Sequence, residues 1–230
     1  MQSGSPSVFV IPNIPILIPI HMATMSTCQR QSADQVLPMT AIDDVMSVAS
    51  LNGDLRMVQT LRRSGLPWSK HCASMAAITG RLECLIDMHK NGCPMSGETI
   101  MAAVMGNNVG CVKFLLECGY TPDTRATREA CRFGYIECLK LLGQWSCPID
   151  ADAAAEASRA GRADCLDLVM ECGCPYDARV TLYACETGKL ESLKVLKARG
   201  IKFSAEDVRI ADESGHADCV EFIRSSFAEP

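Results

Sequence analysis

From about residue 40 to the C-terminus, apolar and polar positions recur with a step of 27 residues. The unit is clearest over residues 161–187, GRADCLDLVMECGCPYDARVTLYACET. After each opening glycine, apolar residues follow at gaps of three: Leu82, Leu85 and Met88 after Gly80, and Ile136, Leu139 and Leu142 after Gly134. Gaps of three place side chains on one face of a helix. That helix is predicted to end at Gly65, Gly92, Gly119, Gly173 and Gly200, with Pro67, Pro94, Pro148 or Pro175 just beyond the stop. Four positions after the closing glycine stands Ser69, Ser96, Asp123, Asp150, Asp177 or Ser204, each able to cap a following helix. Each unit therefore predicts a helix pair, a second helix after the opening glycine and a first helix after the cap.

Two series fix the register. The opening series reads Gly53, Gly80, Asn107, Gly134, Gly161, Gly188 and Gly215; the other reads Ala49, Ala76, Ala103, Ala130, Ala157, Ala184 and Ala211 without exception. The alanine sits inside the first helix, where two helices are expected to approach closely. A unit this small cannot bury its own apolar face, so units must stack into a solenoid. Asn107 is a mild departure, because Asn tolerates the left-handed region. Ser146, preceded by Trp145, replaces a closing glycine and predicts a distorted fourth connection. Residues 40–50 supply a first helix only, with Thr40 and Asp43 spaced like a capping box, and the last unit, with Phe227 in the closing-glycine slot, supplies only a second helix.

Residues 1–39 lie outside the pattern and read as an extended or disordered arm that packs on nothing. The run VFVIPNIPILIPI over residues 8–20 is too short, and too interrupted by Pro12, Pro15 and Pro19, for a membrane helix. The lack of Lys or Arg before Arg30 fits neither a secretory signal nor a mitochondrial presequence. The break in composition predicts a biological start at Met22 or Met25. Residues 40–230 form the repeat domain.

Composition changes little. The chain is 48% hydrophobic and 21% charged, with a net charge of −5, so no basic field draws it to nucleic acid or anionic lipid. Most of the 14 cysteines occupy repeat slots: Cys84, Cys111, Cys138, Cys165 and Cys219 in one, Cys93, Cys147 and Cys174 in another. Met57 and Ser192 share the first slot, so it asks for a small, fairly apolar side chain, and a buried free thiol serves. Reduced cysteines predict a cytoplasmic setting, with the nucleus as an alternative. No C-x-x-C pair occurs and Cys172 and Cys174 are too close for the usual zinc spacing, so no metal or cofactor is expected.

The segments GRLECL at Gly80 and GYIECL at Gly134, followed by the G-C-P tripeptides at Gly92 and Gly173, resemble ankyrin repeats. The similarity is to the shortened, cysteine-rich kind found in protists and their large DNA viruses, and it covers residues 40–227. Ankyrin units usually run about 33 residues and include a β-turn finger. Six residues are missing here, which predicts an all-α, ankyrin-like solenoid of stacked helix-turn-helix repeats with reduced or absent fingers. The resemblance implies protein recognition on the concave side, by the exposed stripe of each first helix.

Counted from the cap, slots two, five, six and nine share a face away from the fixed alanine. This stripe offers Met75, Ile78, Met101 and Met105 early, then Arg125, Arg128, Arg132 and Arg159, then Leu182 and Tyr183. Methionine adapts to varied apolar surfaces and arginine pairs with carboxylates, so the expected partner is an acidic, partly apolar protein bound by a monomer. A register error of one residue would instead put the methionines in the core. A structural spacer or self-associating array is the alternative function. A thiol enzyme is disfavoured, because the four histidines, His21, His71, His89 and His216, are scattered over different units, the cysteines near His89 and His216 fill the repeated structural slot, and no phosphate loop or serine elbow occurs.

Overall fold

The computed structural model describes residues 39–69 and 71–227, and the side chains from Val45 onward. The arm of residues 1–38, with its proline-punctuated run and the expected start at Met22 or Met25, lies outside the described residues. Among those described there are fourteen helices and no strand.

Seven are first helices: α1 (Met39–Asn52), α3 (Cys72–Ile78), α5 (Gly97–Met105), α7 (Thr124–Phe133), α9 (Ala151–Arg159), α11 (Arg179–Glu186) and α13 (Ala205–Glu213). Seven are second helices: α2 (Leu55–Arg63), α4 (Leu82–Lys90), α6 (Val109–Glu117), α8 (Ile136–Gln144), α10 (Ala163–Glu171), α12 (Leu190–Ala198) and α14 (Ala217–Phe227). Because α1 packs on α2 and α13 on α14, the half units expected at the two ends are parts of complete hairpins. The natural cut falls at the closing glycine.

The hairpins stack in chain order, first helix on first helix and second on second. Every alanine of the fixed series is buried, as are all cysteines of both repeated slots. With alanine at the crossing point, neighbouring first helices pack more closely than neighbouring second helices. Leu85, Met88, Leu115, Leu142, Leu166, Leu193 and Leu196, all from second helices, are fully buried and fill the space between the two layers.

The caps act in all six links. Ser96, Asp123, Asp150 and Ser204 accept from a backbone N–H in the first turn of α5, α7, α9 and α13. Ser69 accepts from the N–H of His71 and Asp177 from that of Arg179, although α3 and α11 begin later than the spacing predicts. Typically worth about 1 kcal/mol each, such caps set boundaries and leave the fold to burial. Helix α1 starts at Met39, so Thr40 falls inside it and is not the cap expected there.

Asn107 and Ser146 both take the left-handed conformation of the glycines they replace, with φ of 53° and 52°. The expected distortion at Ser146 does not occur. Its N–H donates to Gly143 O at 3.0 Å and that of Cys147 to Leu142 O at 3.0 Å, the same pair of bonds that Gly92 and Cys93 make with His89 and Met88. Two backbone bonds satisfy the last carbonyls of α8 and outweigh the unfavourable φ of one serine.

Candidate functional site

All ten residues expected to bind a partner lie on first helices, and none is buried. Met105, Arg125, Arg132 and Arg159 are exposed; Met75, Ile78, Met101, Arg128, Leu182 and Tyr183 are half-buried. Ile78 and Tyr183 also pack partly against the core. The register error that would have put Met75 and Met101 in the core does not arise.

The stripe begins one helix earlier than the sequence reading took it. Val48 and Leu51 of α1 are 49% and 38% exposed, in the slots of Met75 and Ile78. Stepping back 27 residues would have found them; counting from the first cap, at Ser69, missed them. Phe133, at the end of α7, is also exposed, stacked on Tyr135 at 5.5 Å with the Arg132 guanidinium over its ring.

The arginines do not form a bare cationic strip. Arg125 pairs with Asp123 at 2.7 Å, Arg132 with Glu129 at 3.8 Å and Arg159 with Glu156 at 2.6 Å. Arg128 reaches into the next hairpin, to Asp150 at 2.6 Å and Asp152 at 3.3 Å. Asp152 in turn takes Arg179 at 2.7 Å, and Arg179 also holds Asp177 at 2.8 Å. Alternating charges thus run across α7, α9 and α11. The hydrogen bond from Arg125 holds the Asp123 carboxyl below its ordinary range, and that from Arg179 does the same for Asp177. For Asp150 partial burial works against the charge, but bonds from Arg128, Thr124 and the Ala153 N–H prevail and its carboxyl also lies low. These aspartates were read as helix caps alone; that a cap lies under slot two of its own helix and beside slot five of the preceding one was the unused signal.

His89 and His216 have partners other than cysteine. His89 Nδ1 lies 3.1 Å from the Tyr120 hydroxyl, and His216 Nε2 donates to Glu186 O at 3.1 Å. Burial pushes the Cys84 thiol up to about 11, away from the thiolate that a nucleophile needs.

The stack is similar to the crystal structure of the human ASB11 ankyrin repeat domain, with a TM-score of 0.65 at 19% identity, over 77% of this chain and 96% of that one. The chain has the ankyrin-repeat fold. No family model matches the sequence of this ankyrin array, and no curated protein matches it. The ankyrin fold here is built without strands in its links, each a short connection from closing glycine to cap. No helix among the described residues is long and apolar enough to cross a membrane.

Proposed function

We propose that this ankyrin array is a non-catalytic protein-binding module, a monomer that takes a protein partner along the concave face formed by its first helices. One observation carries the reading. Exposed or half-buried apolar side chains on α1, α3 and α5, among them Val48, Met75 and Met105, adjoin exposed arginines on α7, all in equivalent slots of one continuous face. Exposed apolar groups that form a patch, unlike isolated ones, mark interaction surfaces. A partly apolar partner carrying carboxylates suits this face, with its carboxylates competing against Asp123, Glu129 and Glu156 for the guanidinium groups. Burial of the cysteine thiols supports a reducing compartment such as the cytoplasm. The 27-residue unit and its cysteine slot support placing the chain with the shortened, cysteine-rich ankyrin arrays.

The test is affinity capture from the source cell's lysate with the full chain at two salt concentrations. The variant Arg125→Ala, Arg128→Ala, Arg132→Ala should lose a stoichiometric, salt-sensitive partner while its melting temperature changes little. Capture unaffected by the three substitutions would reject this surface. Recovery of the bait alone would favour a spacer.

A further inference from the structure

At slots five, six and nine of the first helices, an unbroken run of uncharged residues occurs at one end only. At slots five, six and nine, α1 carries Ser47, Val48 and Leu51, α3 carries Ser74, Met75 and Ile78, and α5 carries Met101, Ala102 and Met105. None is charged. At the same slots α7 carries Arg128, Glu129 and Arg132, all charged, and beyond it charged residues interrupt the apolar ones on every helix: Glu156 and Arg159 on α9, Glu186 on α11, Arg209 and Glu213 on α13. The uncharged strip lies at the end where the preceding chain joins, at Met39.

The preceding chain has the matching chemistry. No Asp, Glu, Lys or Arg occurs before Arg30, and residues 8–20 are all apolar except Asn13. We propose that residues 8–20 dock in cis on the strip formed by α1, α3 and α5 and cover it until a partner displaces them. The proposal goes beyond the proposed function and does not depend on it, since the strip is covered whether or not a partner exists. It concerns the chain from Met1, and so runs against a start at Met22 or Met25.

Length permits the contact. The connection from Ile20 to Met39 reaches at most about 60 Å, and a chain of that length has a typical end-to-end distance of about 25 Å. Three helices packed side by side at about 10 Å centre to centre span about 20 Å, and thirteen residues in a polyproline conformation cover about 40 Å. A tether whose typical length matches the span gives an effective concentration in the millimolar range, so modest contact area suffices.

Chemistry selects this end. Pro12, Pro15 and Pro19 fix φ, which lowers the cost of ordering, and they present no N–H to be stranded on an apolar surface. On the far half of the face, an uncharged segment would cover the pairs of Arg128 with Asp150 and Asp152 and offer them nothing in return.

The experiment uses the full chain with Met105→Bpa, the photoreactive p-benzoylphenylalanine. Irradiation should join position 105 to residues 8–20 within one chain, with a yield independent of protein concentration. The same group in place of Arg132 should give little of this product, and Ile16→Asp with Ile18→Asp should lower the yield at position 105 by at least about tenfold. Both aspartates lie outside the helical array, and its folding is checked by circular dichroism. Absence of the adduct, an equal yield from position 132, or a yield indifferent to the two aspartates would each overturn the proposal. Adducts formed only between chains and rising with concentration would overturn it in favour of a second copy.

Discussion

Asn108 donates through its side-chain Nδ2 to the carbonyl oxygen of Ile78, thirty residues earlier and 2.9 Å away, and makes an equal bond to Ala77. The side chain that precedes α6 thus closes the open end of α3. To do so it passes over Gly80, where a Cβ would meet Asn108 Oδ1 at 2.5 Å and Cγ at 2.9 Å. Arg81 passes over Gly53, Arg162 over Gly134 and Lys189 over Gly161 in the same way. Each of these four opening glycines therefore meets two demands, a positive φ and a close crossing. The closing Gly92, with φ of 73°, has nothing within 4 Å of that position and meets only the first.

Gly92→Ala should accordingly cost about 1–2 kcal/mol, the penalty of a left-handed L-residue. Gly80→Ala also displaces Asn108 from two carbonyls, each bond worth about 1 kcal/mol, for a total of about 3 kcal/mol. Urea denaturation of the two variants checks the difference. Equal midpoints would mean that the crossing contributes nothing.

Ser146→Gly should stabilise the array by about 1 kcal/mol, because the left-handed turn is already formed and only its strain is removed. Asn107→Gly should gain less, since Asn tolerates that region better. Thermal melts of both variants suffice, and a loss at position 146 would show that the serine makes a compensating bond.

The lowered carboxyls of Asp123, Asp150 and Asp177 predict acid sensitivity. A depressed folded pKa means that the unfolded chain binds protons first as pH falls. The stabilisation is complete above the ordinary carboxylate value near 4 and is lost below it. Urea midpoints should hold from pH 7 to about 5 and decline below about pH 4. All three groups are partly exposed, so each contributes little. Arg128→Met should make the decline shallower by releasing Asp150; an unchanged slope would exclude that pair as a cause.

Alkali should destabilise the array through its thiols. Burial raises Cys84, Cys111, Cys138 and Cys165 to about 11, and Cys185 to about 12. Unfolded thiols ionise from about pH 9, so stability is complete below that value and falls as pH climbs toward these raised values. In the native state at pH 8, exposed Cys172 should react first with a disulfide reagent, and the repeat-slot cysteines only after denaturant is added. A fast-reacting cysteine in the slot of Cys84 would contradict their burial.

Asp207 is 2% exposed, and its Oδ1 has no hydrogen-bond partner, while Oδ2 accepts from the N–H and hydroxyl of Ser204. Thr99, in the equivalent slot, completes its capping box with Ser96 through one hydroxyl. Asp207→Thr should therefore keep the cap and raise stability by about 1 kcal/mol. A lower melting temperature would show that the second oxygen has a role.

The sequence by itself determined what is local to one unit. Helix faces, caps and glycine stops depend on neighbours within a few residues, so the 27-residue period located the alternating helices, the buried alanine and cysteine slots, and the left-handed turn at Asn107, although at Ser146 it predicted a distortion that the backbone bonds of the turn remove. It also placed Met75, Met101 and Leu182 on the accessible face. Tertiary structure alone decided what happens between units. Whether Arg128 meets Asp150 and Asp152, whether Asn108 crosses Gly80, and which helix layer packs more closely depend on the rise and rotation from one hairpin to the next. A sequence repeat carries the identity of each slot but not the distance between equivalent slots, and that distance turned a row of arginines into a neutralised ladder.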